Sequence, residues 1–328
     1  MFSFGVCKLD DYLPDTRRPF GRSRARLRRN RISMQLLRTG ADPSPLELSV
    51  FEDIVRVLPL GNRTYRTTWR GRFAALDPIV NDWLRRRHRR DAALQVCDWA
   101  ASDCLTSMEW AASLFADFPN ASLVASDLML FLVELADADG TSVILDREGH
   151  PLQVVRPPFV VKLQPPESWW LLPVNRLVGM RALARFAARK PEIPKWWLDC
   201  DDETLSIPPF VARKLPLIHP QARSLAERDR RFSICRHSAF EPLEVPVDVI
   251  RTMNIFNRSY FSVERLMEGT RAVASSLRTG GCWIVGRTVD ATQNTVSVLE
   301  KTDRGFRVLE RINGGSEIED LALAHIAD

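Results

Sequence analysis

The sequence predicts an α/β protein built on a seven-stranded, mostly parallel sheet that closes with a C-terminal antiparallel hairpin. Three observations carry that expectation. From Asp91 onward short apolar runs alternate with amphipathic helical patterns at about 25–30 residues per unit, the rhythm of parallel strands joined by helical crossovers. The chain ends in two strand-like runs separated by a tight turn, which is the grammar of a hairpin. Between strands two and three the rhythm breaks, so an insertion is expected over about residues 140–230.

Taken in order, residues 1–45 form a basic N-terminal arm closed by the breaker-rich ADPSPLE. Residues 46–90 form a helical extension, with one helix from Pro45 to about Leu58 and a second over Asp77–Arg87. Ser44, Pro45 and Glu47 have the order of an N-cap, a first-turn proline and a capping-box partner. Residues 91–328 form the main domain. It opens with a buried strand at Leu94–Asp98 and a helix at Met108–Phe118, then a strand at Ser122–Ser126 ending on Asp127, and a helix at Met129–Ala136. A hairpin turning at Arg147–His150 begins the insertion, whose Trp169, Trp170, Trp196 and Trp197 sit among prolines and serve either a pocket or, more ordinarily, anchoring. Arg231–His237 and Val247–Met253 are the third and fourth strands. A helix over Ser262–Leu277, stopped by a glycine cap at Thr279–Gly281, leads to the fifth at Cys282–Thr288. Asn294–Lys301 and Phe306–Ile312 are the closing hairpin.

Composition narrows the function classes. No apolar run reaches the length of a membrane span, and the first residues lack a basic region followed by a long apolar core, so a cytoplasmic protein is expected. The cysteines Cys7, Cys97, Cys104, Cys200, Cys235 and Cys282 contain no C-x-x-C pair, and the five histidines are scattered; neither a disulfide framework nor a metal site is expected. The net charge of +5 is concentrated: residues 1–36 carry +6 and the remainder −1. With Arg85–Arg90, reading RRRHRR, residues 17–31 offer either a surface for nucleic acid or an anionic partner, or a solvated arm and a helix end whose cations complement the dipole.

Chemistry concentrates in LQVCDWAASDCLTSMEW. Asp98 ends the first strand, where open α/β sheets bind ligands. Thr106 and Glu109 have capping-box spacing, which places a helix start near Ser107 with free amides aimed back at the strand end. The small side chains of Ala100, Ala101 and Ser102 let a ligand approach the backbone almost as closely as glycine would. Asp127 ends strand two 29 residues after Asp98; in dinucleotide and nucleoside sites an ionised acid at this place accepts hydrogen bonds from the ribose hydroxyls. Two helix-capping aspartates would be the plainer use.

This organisation resembles the class I, Rossmann-like S-adenosylmethionine-dependent methyltransferases, in which an acidic strand end is followed by a loop with three alternating glycines. The resemblance implies S-adenosylmethionine as cofactor. It puts the strand-end acid on Asp98, the glycine positions on Ala100, Ser102 and Cys104, the ribose acid on Asp127 and the adenine contact on Leu128, with Ser238 beside the ring. Strand four, DVIRTMNIFNRSYFS, is similar to that of chemotaxis-receptor methyltransferases, which implies Asn254 beside the transferable methyl. Arg251, Arg258 and Tyr260 are then candidates for the side of an unidentified methyl acceptor. The sequence departs from the family at all three glycines and at Ser238, where an acid is common. A nicotinamide dinucleotide is the competing cofactor; Asp103 would repel its pyrophosphate, whereas a sulfonium and an amine suit an acidic loop. A non-catalytic interaction module on the same fold, using its basic arm, is the competing function.

Overall fold

The computed structural model describes residues 5–12, 31–40, 42–58, 66, 68–163, 173–189, 191–290 and 293–324. In chain order its helices of five or more residues and its strands are α1 (Pro45–Arg56), α2 (Asp77–Arg87), β1 (Gln95–Trp99), α3 (Leu105–Asp117), β2 (Ser122–Asp127), β3 (Phe131–Asp137), β4 (Ser142–Leu145), β5 (Pro151–Arg156), β6 (Phe159–Lys162), α4 (Pro173–Arg189), α5 (Lys195–Asp199), β7 (Thr204–Ile207), β8 (Phe210–Pro216), α6 (Pro220–Arg228), β9 (Phe232–Arg236), β10 (Val247–Met253), α7 (Val263–Ser276), β11 (Leu277–Thr288), β12 (Asn294–Thr302), β13 (Gly305–Ile312) and α8 (Glu319–Ala324). The chain divides into two compact units, one made of Met1–Thr67 with Phe131–Pro220, the other of Thr68–Leu130 with Gln221–Asp328. The helical extension expected over 46–90 is therefore divided, α1 falling in the first unit and α2 in the second.

The second unit holds a seven-stranded sheet in the order β13-β12-β11-β10-β1-β2-β9. β9, β2, β1, β10 and β11 run parallel; β12 turns back against β11 and β13 against β12. The carboxyl ends of the five parallel strands thus share one edge, and every candidate cofactor residue read from the sequence sits in a loop or strand end on that edge. The apolar alternation explains the burial: Cys97, Trp99, Ile250, Trp283, Val285 and Leu299 enter one core with Leu266 and Val273 of α7. Gly269 lets that helix approach closely, since a Cβ there would lie 2.3 Å from the Phe256 ring. α2 packs on α3 through Asn81, which accepts from Trp110 Nε1 at 2.9 Å and donates to Ser113 Oγ at 3.1 Å.

The first unit holds a six-stranded antiparallel sheet in the order β6-β5-β4-β3-β8-β7. Here the expected helix at Met129–Ala136 is corrected to strand β3. The run is short, and a short apolar run does not separate helix from strand by periodicity. Pairing with β4 and β8 decides it, burying Leu132, Val133, Glu134 and Leu135. Glu134 is tolerated there because Gln35 Nε2 and Ser142 Oγ donate to its Oε1 at 2.5 and 2.8 Å. Trp197 is fully buried in this core while Trp196 stays 60% exposed; Trp169 and Trp170 lie outside the described residues.

Local signals fare unevenly. The Ser44–Glu47 capping box forms as read. The glycine cap at Thr279–Gly281 does not: α7 ends at Ser276, and Gly280, at φ 81°, lies inside β11 where its pairing with β10 shifts register. There β11 advances from Leu277 to Cys282 while β10 advances only from Val247 to Val249, an irregularity in which the positive φ of Gly280 is available without a Cβ penalty. No helix among the described residues is long and apolar enough to cross a membrane.

Candidate active site at the carboxyl edge of the parallel sheet

The β1–α3 loop adopts the conformation of a glycine loop without glycine. Ala100, Ser102 and Cys104 have φ of 54°, 58° and 62°, in the left-handed region that L-residues avoid. Each costs of order 1–2 kcal/mol, and the surroundings hold them there. Ala101 N donates to Ser126 O at 2.8 Å, Ser102 N to Asp127 Oδ2 at 2.9 Å, Cys104 N to Ala101 O at 2.9 Å, and Leu105 N to Asp103 Oδ1 at 3.1 Å. Strand two thus grips the loop through its last two residues. Asp127 Oδ1 also accepts from Met129 N at 3.0 Å, so this carboxylate fixes two backbones at one strand end. Leu128 beside it is 48% exposed, an apolar side chain presented to solvent next to an acid.

Several expectations change here. The helix begins at Leu105, capped by left-handed Cys104, rather than near Ser107 through a Thr106–Glu109 box. Glu109 faces away from that role and accepts from Gly71 N at 3.0 and 3.1 Å. Cys104 is fully buried, so it shapes the loop from inside and offers no side chain to a ligand. Asp103 is also fully buried, its Oδ1 accepting from Leu105 N at 3.1 Å, so its carboxylate does not line the loop's surface.

The largest correction concerns Asp98 and Arg251. They are register partners on the parallel neighbours β1 and β10, so their side chains emerge on the same face. Arg251 Nε donates to Asp98 Oδ1 at 3.0 Å, Nη2 to Asp98 Oδ2 at 2.5 Å, and Nη1 to Asp77 Oδ1 at 2.8 Å. Ser107 Oγ donates to Asp98 Oδ2 at 2.5 Å. The guanidinium lies 4.2 Å from the Trp110 ring centroid and 5.2 Å from that of Phe73, and is fully buried. Arg251 is therefore a structural cation under the loop, not an acceptor-side residue, and Asp98 is its counter-ion. One positive charge here meets two carboxylates. Asp98 makes the bidentate pair, and burial pushes the Asp77 carboxyl up to about 7, opposed by Arg251 and reinforced by Asp98 and Glu109. For Arg251 burial acts downward, but the two carboxylates outweigh it and raise its pKa. A signal for this network was present in the sequence: an arginine in the middle of the otherwise apolar strand VDVIRTM must be paired if that strand is central.

The other predicted residues stand along the same edge. Asn254 ends β10 at φ 64°, its N donating to Gly286 O at 2.8 Å and its Oδ1 accepting from Thr288 N at 2.8 Å. This ties the ends of β10 and β11, while Nδ2 has no partner among the described residues. Ser238 follows β9, its Oγ accepting from Phe240 N at 3.3 Å. His237 beside it rests 4.8 Å from the Trp99 ring centroid, and burial, against the pull of Glu241, lowers its pKa. Tyr260 is 55% exposed, and Arg258 is committed to Asp320 by two contacts of 2.6 Å. Three buried polar atoms near this edge, Ser102 Oγ, Ser126 Oγ and His237 Nε2, have no partner among the described residues. Such orphans call for a ligand or ordered water. Ser126 and His237 were not singled out in the sequence, because nothing in their spacing separates them from ordinary strand residues.

The basic run at Arg85–Arg90 is largely committed. Arg85 reaches Asp117 at 2.7 Å, Arg86 bonds Asp82, Arg87 bonds Glu300, and Arg89 meets Asp91 at 3.0 Å. Residues 17–30 of the other basic segment lie outside the described residues.

No family model matches the chain, and no curated protein matches it. Among solved structures it is similar to a sugar N-methyltransferase from Streptoalloteichus, at 13% identity and a TM-score of 0.32 over 78% of this chain and 80% of that one. It is also similar to a protein-L-isoaspartate O-methyltransferase, at 8% identity and a TM-score of 0.34 over 74% of this chain and 46% of that one. An O-methyltransferase from neocarzinostatin biosynthesis, in complex with S-adenosyl-L-homocysteine and 1,4-dihydroxy-2-naphthoic acid, aligns at 12% identity and a TM-score of 0.26 over 65% of this chain. The chain spans 40% of that enzyme's length.

Proposed function

We propose that the chain is an S-adenosylmethionine-dependent methyltransferase acting on an acceptor still to be identified. The observation that carries the reading is the backbone of the β1–α3 loop. Three alternate non-glycine residues sit in left-handed conformations at the positions where the family resemblance expects glycine, and the strand-two aspartate holds the middle one. Strain of this kind persists where the surrounding structure enforces it, and it gathers at ligand sites.

The residues present fit the cofactor in part. Ala100 and Ser102 bear the smallest side chains that still carry a Cβ. Asp127 is an ionisable acceptor at the end of strand two, where its carboxylate already orders the loop backbone. Exposed Leu128 suits a purine face, and the orphaned Ser126 Oγ, Ser102 Oγ and His237 Nε2 offer polar contacts. Asp98 does not fit its family role, because Arg251 and Ser107 hold both of its oxygens. When bound, S-adenosylmethionine supplies an electrophilic methyl on a sulfonium. Asn254 is the residue we assign to orient the acceptor or the methyl-bearing end through its Nδ2, and the β1–α3 loop and Asp127 fix the donor's position. Alignment of this kind, with exclusion of water, is most of what the displacement requires.

The test is isothermal titration of the purified chain with S-adenosylmethionine and S-adenosylhomocysteine, beside Leu128→Asp. Saturable binding that Leu128→Asp weakens without lowering the melting temperature is the expected result; no heat at millimolar ligand would refute the reading. The occupation of Asp98 favours a second reading, a non-catalytic module on the methyltransferase fold, and that absence of binding is the outcome it requires.

A further inference from the structure

We propose that the outer face of α4 is a docking surface for an anionic lipid membrane. The inner face of this helix is packed. Gly179 lets it sit on β6, a Cβ there lying 3.2 Å from Val161 Cγ1; Ala182 is buried, and the rings of Phe186 and Phe210 meet at 5.9 Å between centroids. Trp197 of α5 enters the same core, so α4 and α5 cover one face of the six-stranded sheet and their other sides point away from it. Polar residues belong on such an outer side, and α4 does the reverse. Leu177, Met180 and Ala184, at spacings of three and four, form its solvent-facing ridge; Leu177 and Met180 are each 50% exposed, and Val174 before them is 38% exposed. The described residues leave twelve large apolar side chains exposed, of which three lie on α4, and no other element carries more than one. Clustering of this kind marks an interaction site, whereas single exposed apolar residues do not.

Charge identifies the partner. α4 carries the four arginines Arg176, Arg181, Arg185 and Arg189 and no acid. Arg185 and Arg189 pair with Asp139 and Asp137 toward the C-terminal end of the helix. Arg181, exposed one turn from both Leu177 and Ala184, has no acidic partner among the described residues. An apolar ridge whose helix bears only cations is repelled by its own copy and attracted to a layer of negative headgroups, where the apolar side chains insert and the arginine stem lies along them with its charge at the phosphate level. The ridge is also convex, and three side chains fall well short of the roughly 800 Å² per partner of a stable protein interface. A fluid lipid surface needs no matching groove. Trp196, exposed on α5 over the same face of the sheet, adds the ring type that collects at membrane interfaces.

The experiment sediments the full chain with vesicles of phosphatidylcholine alone and of phosphatidylcholine mixed with phosphatidylserine. The chain is expected to travel with the phosphatidylserine vesicles, to leave them as salt is raised, and to stay in solution beside phosphatidylcholine alone. Leu177→Gln with Met180→Gln changes no charge and keeps good helix formers at exposed positions, so it should melt as the wild type and weaken binding by at least about tenfold. Arg181→Gln should weaken it about fivefold. No binding at millimolar lipid, equal binding to the two vesicle types, or binding that survives the double glutamine variant overturns the proposal, the last by assigning the contact to another basic segment of the chain. A concentration-dependent dimer that the same variant dissolves also overturns it, by placing a second copy on the ridge.

Discussion

Removing the surplus charge of the buried network should make the protein more stable, and more so as the pH rises. Asp77 is 7% exposed, and its pKa moves from the ordinary 3.8 to about 7 in the folded chain. The native state therefore holds this proton more tightly than the unfolded state, so the carboxyl costs nothing below pH ~4, and its cost grows as the pH climbs through ~7. At about 1.36 kcal/mol per unit, the loss between the two pKa values amounts to roughly 4 kcal/mol when complete, of which about 2–3 kcal/mol accrues between pH 5 and pH 8. Asp77→Asn keeps an oxygen for Arg251 Nη1 and cannot ionise. Urea unfolding of wild type and variant at pH 5 and pH 8 isolates the effect, because titrating groups that do not interact with Asp77 cancel in the difference. The variant's advantage should widen by about 2–3 kcal/mol from the lower to the higher pH. An advantage that shrinks with pH would mean that attraction to Arg251 outweighs burial, and the account of one cation facing two carboxylates would be wrong.

Three further outcomes follow from the same geometry. Arg251→Met leaves Asp98 buried without its counter-ion and should cost about 3–5 kcal/mol in urea unfolding, part of which Asp98→Asn in the same chain should restore. Ala100→Val places a β-branched residue at φ 54° and should destabilise by about 1–2 kcal/mol, while Ala100→Gly should cost nothing or gain up to ~1 kcal/mol; thermal melts of the pair check the sign. Gly269→Ala drives a methyl against the Phe256 ring in a filled core and should lower stability by about 1–3 kcal/mol, again by urea unfolding.

Much of the second unit was legible before any coordinates, because its elements are signalled locally. α2 carries its proline and its apolar face, the parallel strands are apolar runs between turn residues, and the hairpin is marked by Asp303–Gly305. The carboxyl edge followed from alternation alone, and with it the loop position of Ala100, Ser102, Asp127, Ser238 and Asn254. The first unit was harder to read. β3 and the glycine-bearing start of β11 are short or ambiguous segments whose state is set by the strands they pair with, which lie far away in sequence.

The composition of the loop was therefore fixed by the sequence, while its conformation was decided by the strand beside it. No propensity places Ala100, Ser102 and Cys104 in the left-handed region; backbone bonds to Ser126 and Asp127 do. The roles of the charges were decided the same way. Asp98 and Arg251 are 153 residues apart in the chain and become one buried pair only because β1 and β10 adopt the register that sets them side by side. Periodicity is a property of neighbours in sequence, whereas the partner of a buried charge is a property of the sheet.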